Sequence, residues 1–218
     1  MPTANSTRHP LFARFFDRFA ARDEQRGQAA LRRELLAGLA GLVLEVGAGN
    51  GLNFPHFPAS VRLLVAVEPE PYLRLRAADA ARAAPVPVRV VAGTADRLPL
   101  ASGSVDAVVV SGVLCSVPDP LAALAELRRV LRPGGELRFY EHVRAGGRLQ
   151  GRYQDAADLV WPRLMGGCHP NRDTLATIEQ AGYRVAACRG FHFPPGARLL
   201  PVAPRILGRA TTGDPERR

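Results

Sequence analysis

Lysine is missing from this chain: each of the 29 basic residues is arginine. Set against 20 acidic residues they leave a net charge of +9, which alone would suggest a polyanionic partner. The arginines are dispersed, however, with no basic block longer than a pair, and alanine, glycine and proline are abundant. A GC-rich genome produces that bias without selection for a ligand. Nucleic acid is therefore not expected as a partner. Cysteine is scarce as well. Cys115, Cys168 and Cys188 are odd in number and far apart, which argues against a disulfide framework and a zinc site, and for a reducing cytoplasm. No metal is expected. No apolar run reaches the roughly 18 residues that a membrane-spanning helix needs. The first ten residues lack a basic stretch followed by an apolar one, so no secretory signal is expected. No internal repeat or low-complexity linker interrupts the 218 residues, a length suited to one α/β domain.

What the chain does contain is a glycine-rich turn. Leu42-Val43-Leu44-Glu45-Val46 reads as a short apolar strand running into Gly47-Ala48-Gly49-Asn50-Gly51. A second apolar strand follows and ends at Glu68. Strand, glycine turn, helix start and a carboxylate closing the next strand is the layout of a nucleotide-type cofactor site in a doubly wound sheet. A dinucleotide fingerprint places its third glycine five residues after the first, where this chain has Leu52. Glu45 stands two residues before the first glycine, where a carboxylate would repel a pyrophosphate. It suits a ligand bearing an ammonium and a sulfonium, and S-adenosylmethionine carries both.

The rest of the pattern alternates strand and helix. Strands are expected over 61–67, 87–92, 105–110, 136–143 and 183–190, with a last strand near 203–210. Helices are expected over 70–83, 120–131 and 172–181, the last entered from Asn171, and 148–165 is a further helical candidate. Arg132-Pro133-Gly134-Gly135 is a helix breaker. Such alternation implies a mostly parallel α/β sheet. Near the N-terminus, Leu11, Phe12, Phe15, Phe16 and Phe19 recur at helical spacing, and Leu31, Leu35, Leu36 and Leu39 follow. These helices either pack on the domain, close as a lid over an apolar substrate, or touch a membrane surface peripherally.

Taken jointly, Glu45-x-Gly47-x-Gly49-x-Gly51, Glu68, the stretch Gly93 to Leu100, Asp106 and Arg132-Pro133-Gly134-Gly135 resemble the class I S-adenosylmethionine-dependent methyltransferases. The resemblance covers residues 41 to 143 and implies a Rossmann-like, seven-stranded, mostly parallel sheet with helices on both faces. It divides the chain into an N-terminal helical segment (1–40), a methyltransferase domain (41–210) and a disordered tail (211–218). It assigns cofactor contacts to Glu45, Gly47, Ala48, Gly49, Asn50, Gly51, Asn53, Glu68, Pro69, Thr94, Ala95, Asp96, Ser111 and Leu114. In that assignment the glycine loop lies against the methionine moiety, Glu68 takes the ribose, and the 94–96 turn holds the adenine. Many relatives carry aspartate where Thr94 stands, which shifts the adenine amino group to Asp96 or to backbone.

The second half of the chain narrows the resemblance. Val113-Leu114-Cys115-Ser116-Val117, Tyr140-Glu141-His142-Val143, Asp158-Leu159-Val160-Trp161-Pro162 and Gly167-Cys168-His169 with Arg172 resemble the group containing animal thiol S-methyltransferases. That implies a small or lipophilic acceptor, a thiol first. An O- or N-methyltransferase of a lipid, quinone or secondary metabolite shares the 41–143 motifs, and a cofactor-binding protein without turnover stands behind both. His142 is the candidate proton acceptor, at the edge where ligands bind in such sheets. Glu141 either orients it or caps a loop. Cys115, Trp161, Cys168 and Arg172 are candidate pocket residues. Cys168 and His169 are adjacent and expected to point apart, and Arg172 is expected to pin the 166–172 loop.

Overall fold

The computed structural model describes residues 10–197 and 199–212. His9 and the tail beyond residue 212 lie outside them, as does the side chain of Phe19. Seven strands form one sheet: β1 Gly41–Val46, β2 Val61–Val67, β3 Val88–Val91, β4 Val105–Ser111, β5 Leu131–His142, β6 Tyr183–His192 and β7 Pro204–Thr212. Their order is β3-β2-β1-β4-β5-β7-β6, and β7 alone runs antiparallel to its neighbours. The chain winds outward from β1 through β2 to β3, then returns to β4 on the other side of β1. This reversal opens a crevice at the carboxyl ends of β1 and β4, the place where such sheets bind ligands.

Alternation along each strand sends side chains to two separate cores. Leu44, Val46, Val108 and Val110 meet Leu124 and Leu127 of α4 (Pro120–Val130) and Ile178 of α7 (Thr174–Gln180). Val43, Ala107 and Val109 meet Leu35 and Leu36 of α2 (Ala29–Leu36) and Ala77 of α3 (Pro71–Ala81). Both faces are covered, which is why β1 and β4 read as unbroken apolar runs. The helices α3, α4 and α7 start at side-chain caps, Glu70 accepting from Leu73 N–H, Asp119 from Ala122 N–H and Asp173 from Ala176 N–H.

Three expectations change. Asp173 rather than Asn171 caps α7, and the Asn171 amide donates to Asp155 instead. The span 148–165 divides into α5 (Arg148–Asp158) and α6 (Trp161–Leu164). Thr211 and Thr212 are not tail but strand, pairing with Glu136 and with Arg184 and Tyr183. Asp106 proves structural: it accepts from Leu42 N–H and pairs with Arg132, tying the start of β1 to the irregular start of β5.

At the N-terminus, α1 (Pro10–Asp23) and α2 are joined by a π-helical segment, Glu24–Gln28. Gly27 there has φ of 108°, a conformation L side chains avoid. The break lets α2 pack on the sheet while α1 turns over the glycine loop.

Candidate active site

The glycine loop leaves β1 and is bound to β2. Gly47 N–H and Ala48 N–H both donate to Val67 O, at 2.8 and 3.1 Å, and Gly51 N–H donates to Ala48 O. Gly49 N–H donates to Glu68 Oε2 at 2.7 Å. These are donors that a dinucleotide site would aim at a pyrophosphate, and here they are committed internally. A side chain at position 47 would meet Val113 at 2.5 Å, and one at 51 would meet Ala80 and Phe54 at 2.8 Å. Both glycines also have positive φ. Glycine is therefore required at both positions by contact and by conformation.

Glu68 is 4% exposed and follows β2 directly. Its carboxylate also accepts from Glu70 N–H at 2.9 Å, leaving two lone-pair sites for ribose hydroxyls. Burial pushes its carboxyl up to about 7, with the Glu70 and Gly49 N–H groups opposing that rise. Glu45 is 1% exposed. Its Oε1 accepts from the Asn53 amide at 2.6 Å, and Arg32 donates to Asn53 Oδ1 at 2.7 Å. Its Oε2 is buried and has no hydrogen-bond partner among the described residues. Burial raises this carboxyl to about 7 also, against the Asn53 bond and the Arg32 charge. A buried, half-partnered carboxylate beside a second one fits a cationic ligand and opposes an anionic one. S-adenosylmethionine suits this donor set.

The Asn53 amide is held between Arg32 and Glu45 and so positions the Glu45 carboxyl. The Asn50 amide donates to Asp17 on α1 at 2.8 Å. Pro69 contributes its carbonyl to Arg74. Across the crevice Ala95 is buried, Thr94 half-buried and Asp96 exposed, with the turn closed by Arg97 N–H to Thr94 O at 3.1 Å. Ser111 ends β4, half-buried, and Leu114 is buried in the loop that follows.

One residue that sequence reading left aside, Asp17, helps hold α1 over the glycine loop. Asp17 accepts from Asn50, from Tyr72 OH at 3.0 Å and from Arg76 at 3.2 Å. Burial pushes its carboxyl up, but these bonds and the Arg76 charge outweigh it and hold the carboxyl below its usual range. The Phe16 ring lies 3.3 Å from where a side chain on Gly49 would begin, and Phe12 packs against Gly166. Helix α1 thus stretches from the cofactor loop to the 166–172 loop. An acid in an otherwise apolar, arginine-flanked helix was the available signal for Asp17.

The acceptor side lies past the ends of β4 and β5. Glu141 is buried and accepts from Val113 N–H and Cys115 N–H. Burial raises its carboxyl to about 8. It braces the loop after β4, the capping role of the two expected. Cys115 is fully buried, Cys168 is 6% exposed, and both thiols face His142. Contact with Cys168 and burial push the Cys115 thiol up to about 12. His169 does point away from Cys168: its ring pairs with Asp158 at 2.9 Å. Arg172 donates to Leu114 O and Val117 O, each at 2.7 Å, and so fastens its loop to the one after β4. Burial lowers its basicity, while the nearby Cys115 and Cys168 sulfurs act the other way. Trp161 packs with Met165 and Leu200 against Cys115, Cys168 and Val202, and its indole N–H is buried without a partner among the described residues. No helix among the described residues is long and apolar enough to cross a membrane.

Comparison with known proteins agrees with this geometry. Residues 44–139 match the model of a methyltransferase domain. The human thiol S-methyltransferase TMT1B is 35% identical over 191 residues, which cover 82% of this chain and 77% of that protein. Human TMT1A is 34% identical over 172 residues, covering 77% and 69%. Among solved structures, a SAM-dependent methyltransferase from Thermotoga maritima superposes with a TM-score of 0.63 at 22% identity, covering 90% of this chain and 98% of that one.

Proposed function

This chain belongs to the S-adenosylmethionine-dependent methyltransferase family that includes the thiol S-methyltransferases, and we propose from that premise that its acceptor is a small, lipophilic thiol. S-adenosylmethionine, when bound, supplies an electrophilic methyl group on a sulfonium. In this reading Glu68 orients it by the ribose, the committed glycine loop sets the distance of its methionine end, and α1 keeps water from the crevice.

The observation that carries the thiol reading is that, among the described residues, no free carboxylate faces the acceptor side. Glu141 is occupied by backbone N–H groups, and the wall is made of Cys115, His142, Cys168 and Trp161. An alcohol needs a dedicated base before it attacks. A thiol, with a pKa of about 8.5, is already a few per cent thiolate at neutral pH. The Arg172 charge beside the two sulfurs favours an incoming anionic sulfur. His142 is the group on this wall able to receive the acceptor's proton. The three cysteines, unpaired in the fold, support a reducing, cytoplasmic setting.

The deciding experiment is methyl transfer from labelled cofactor to a matched panel of alkyl and aryl thiols, phenols and amines. Thiols are expected to be methylated with the highest kcat/KM. Turnover on phenols or amines with none on any thiol would replace this reading with an O- or N-methyltransferase.

A further inference from the structure

Cys115, His142 and Cys168 come from the loop after β4, the end of β5 and the 166–172 loop, yet their ligand atoms all lie within 4.8 Å of one another. The wide spacing that argued against a zinc site does not keep them apart in the fold. The two sulfurs are 3.7 Å apart, and His142 Nδ1 is 3.4 Å from Cys115 Sγ and 3.3 Å from Cys168 Sγ. Tetrahedral zinc, with bonds of about 2.3 Å to sulfur and about 2.05 Å to nitrogen, sets ligands about 3.8 Å apart for S···S and about 3.6 Å for S···N. The three measured edges agree with one face of that tetrahedron within a few tenths of an ångström. As a hydrogen-bonded cluster the same groups are poorly matched, since thiols are weak donors and weak acceptors.

We propose that Cys115, His142 and Cys168 bind a zinc ion, and that its fourth position takes the sulfur of the acceptor thiol. The metal site stands on the geometry; the role of the fourth position rests on the thiol reading above. Three protein ligands and one open position is the arrangement of catalytic zinc. Two thiolates neutralise the ion, and Arg172 lies beside them to balance the added charge of an acceptor thiolate. The surroundings hold the ligands in place: Cys115 N–H is fixed by Glu141, Cys115 O accepts from His169 N–H, and Ser116 Oγ lies 3.5 Å from Cys115 Sγ. Val113, two residues before Cys115, packs against Gly47, so the segment that carries Cys115 borders the cofactor loop.

The chemistry balances without redox. With His142 engaged on the metal, the acceptor's S–H proton is released, on coordination, to water and not to His142. A lone pair of the bound sulfur forms the new S–CH3 bond. At the same time the cofactor's S–CH3 bond breaks, and its electron pair remains on the departing sulfur. The neutral thioether product is a weak ligand and gives way to the next thiol.

The test uses the full chain without a metal-binding tag, purified from zinc-supplemented medium. Elemental analysis is expected to find one equivalent of zinc. Replacement by cobalt(II) is expected to give a thiolate-to-cobalt charge-transfer band and the visible bands of a tetrahedral ion. Cys168→Ser should lose the band while retaining stabilisation by S-adenosylhomocysteine, and Cys188→Ser, at an exposed position outside the cluster, should leave it unchanged. Adding a substrate thiol should shift the cobalt spectrum. Less than a tenth of an equivalent of metal in the unaltered protein, with three titratable thiols and no cobalt band, overturns the site. Metal present but blind to thiols overturns the fourth-position role. Undiminished thiol methylation by metal-free protein overturns the inference and leaves the thiol reading standing, whereas bound metal with no thiol turnover does the reverse.

Discussion

Gln154 has no exposed surface, and its amide joins segments that lie far apart in the sequence. Its N–H groups reach Val143 O, Pro170 O and Pro201 O at 3.0, 2.8 and 2.8 Å, and its carbonyl accepts from Ala145 N–H at 2.7 Å. Gln154→Ala strands those buried partners and should destabilise the fold by about 2–4 kcal/mol, read as a lower melting temperature. An unchanged melting temperature would mean the loops hold together without it. Glu68 is the proposed acceptor for the ribose hydroxyls. Glu68→Ala should then weaken S-adenosylhomocysteine binding by about 1–3 kcal/mol in calorimetry. The glycine loop and Glu68 were legible from the sequence because their chemistry is local: positive φ, close approach and a strand-end acid. Gln154 was not, because its partners lie in three distant loops.

Among the elements, α1 changes the picture most. Its apolar spacing allowed a packing helix, a lid or a membrane helix, and in the fold it packs over the glycine loop: Phe16 over Gly49, Phe12 against Gly166, Asp17 bound to Asn50, Tyr72 and Arg76. Asp17→Ala should free α1 from the loop. We expect cofactor release to quicken several-fold in stopped-flow measurement while the melting temperature moves little, since Ala13 is the buried side chain of α1 among the described residues. A cofactor off-rate equal to that of the unaltered chain would show that α1 does not gate the crevice. Periodicity gave this helix an apolar face; what the face covers depended on the break at Gly27 and on where β1 ends.

For the molecule as a whole, two buried carboxylates share one crevice, and both Glu45 and Glu68 are raised to about 7 by burial. Unfolded, each would titrate near 4.3. Between those values the folded chain holds protons that the unfolded chain has released, so cofactor-free stability should fall as pH rises through that window and level off above it. A bound cofactor or product that donates ammonium or hydroxyl hydrogens to these groups favours their ionised forms, so its affinity should rise over the same interval. The gap in melting temperature with and without S-adenosylhomocysteine should therefore widen between about pH 5.5 and pH 8. A constant gap would count against ionised carboxylates at the cofactor.

By itself the sequence determined the alternation of strand and helix, the sheet's parallel core, the cofactor loop and the acid that follows it. Each depends on neighbours in the chain: a period of two or of 3.6, a cap, a turn that demands glycine. Tertiary structure decided the acceptor side. Cys115, His142 and Cys168 are brought within bonding reach only because β4 and β5 are adjacent in the sheet and Arg172 fastens the 166–172 loop beside them. Linear spacing, which had set those cysteines against a metal, carries no information about such a meeting. Proximity there is produced by strand order and by loop anchoring, and neither is written in the distance between residues along the chain.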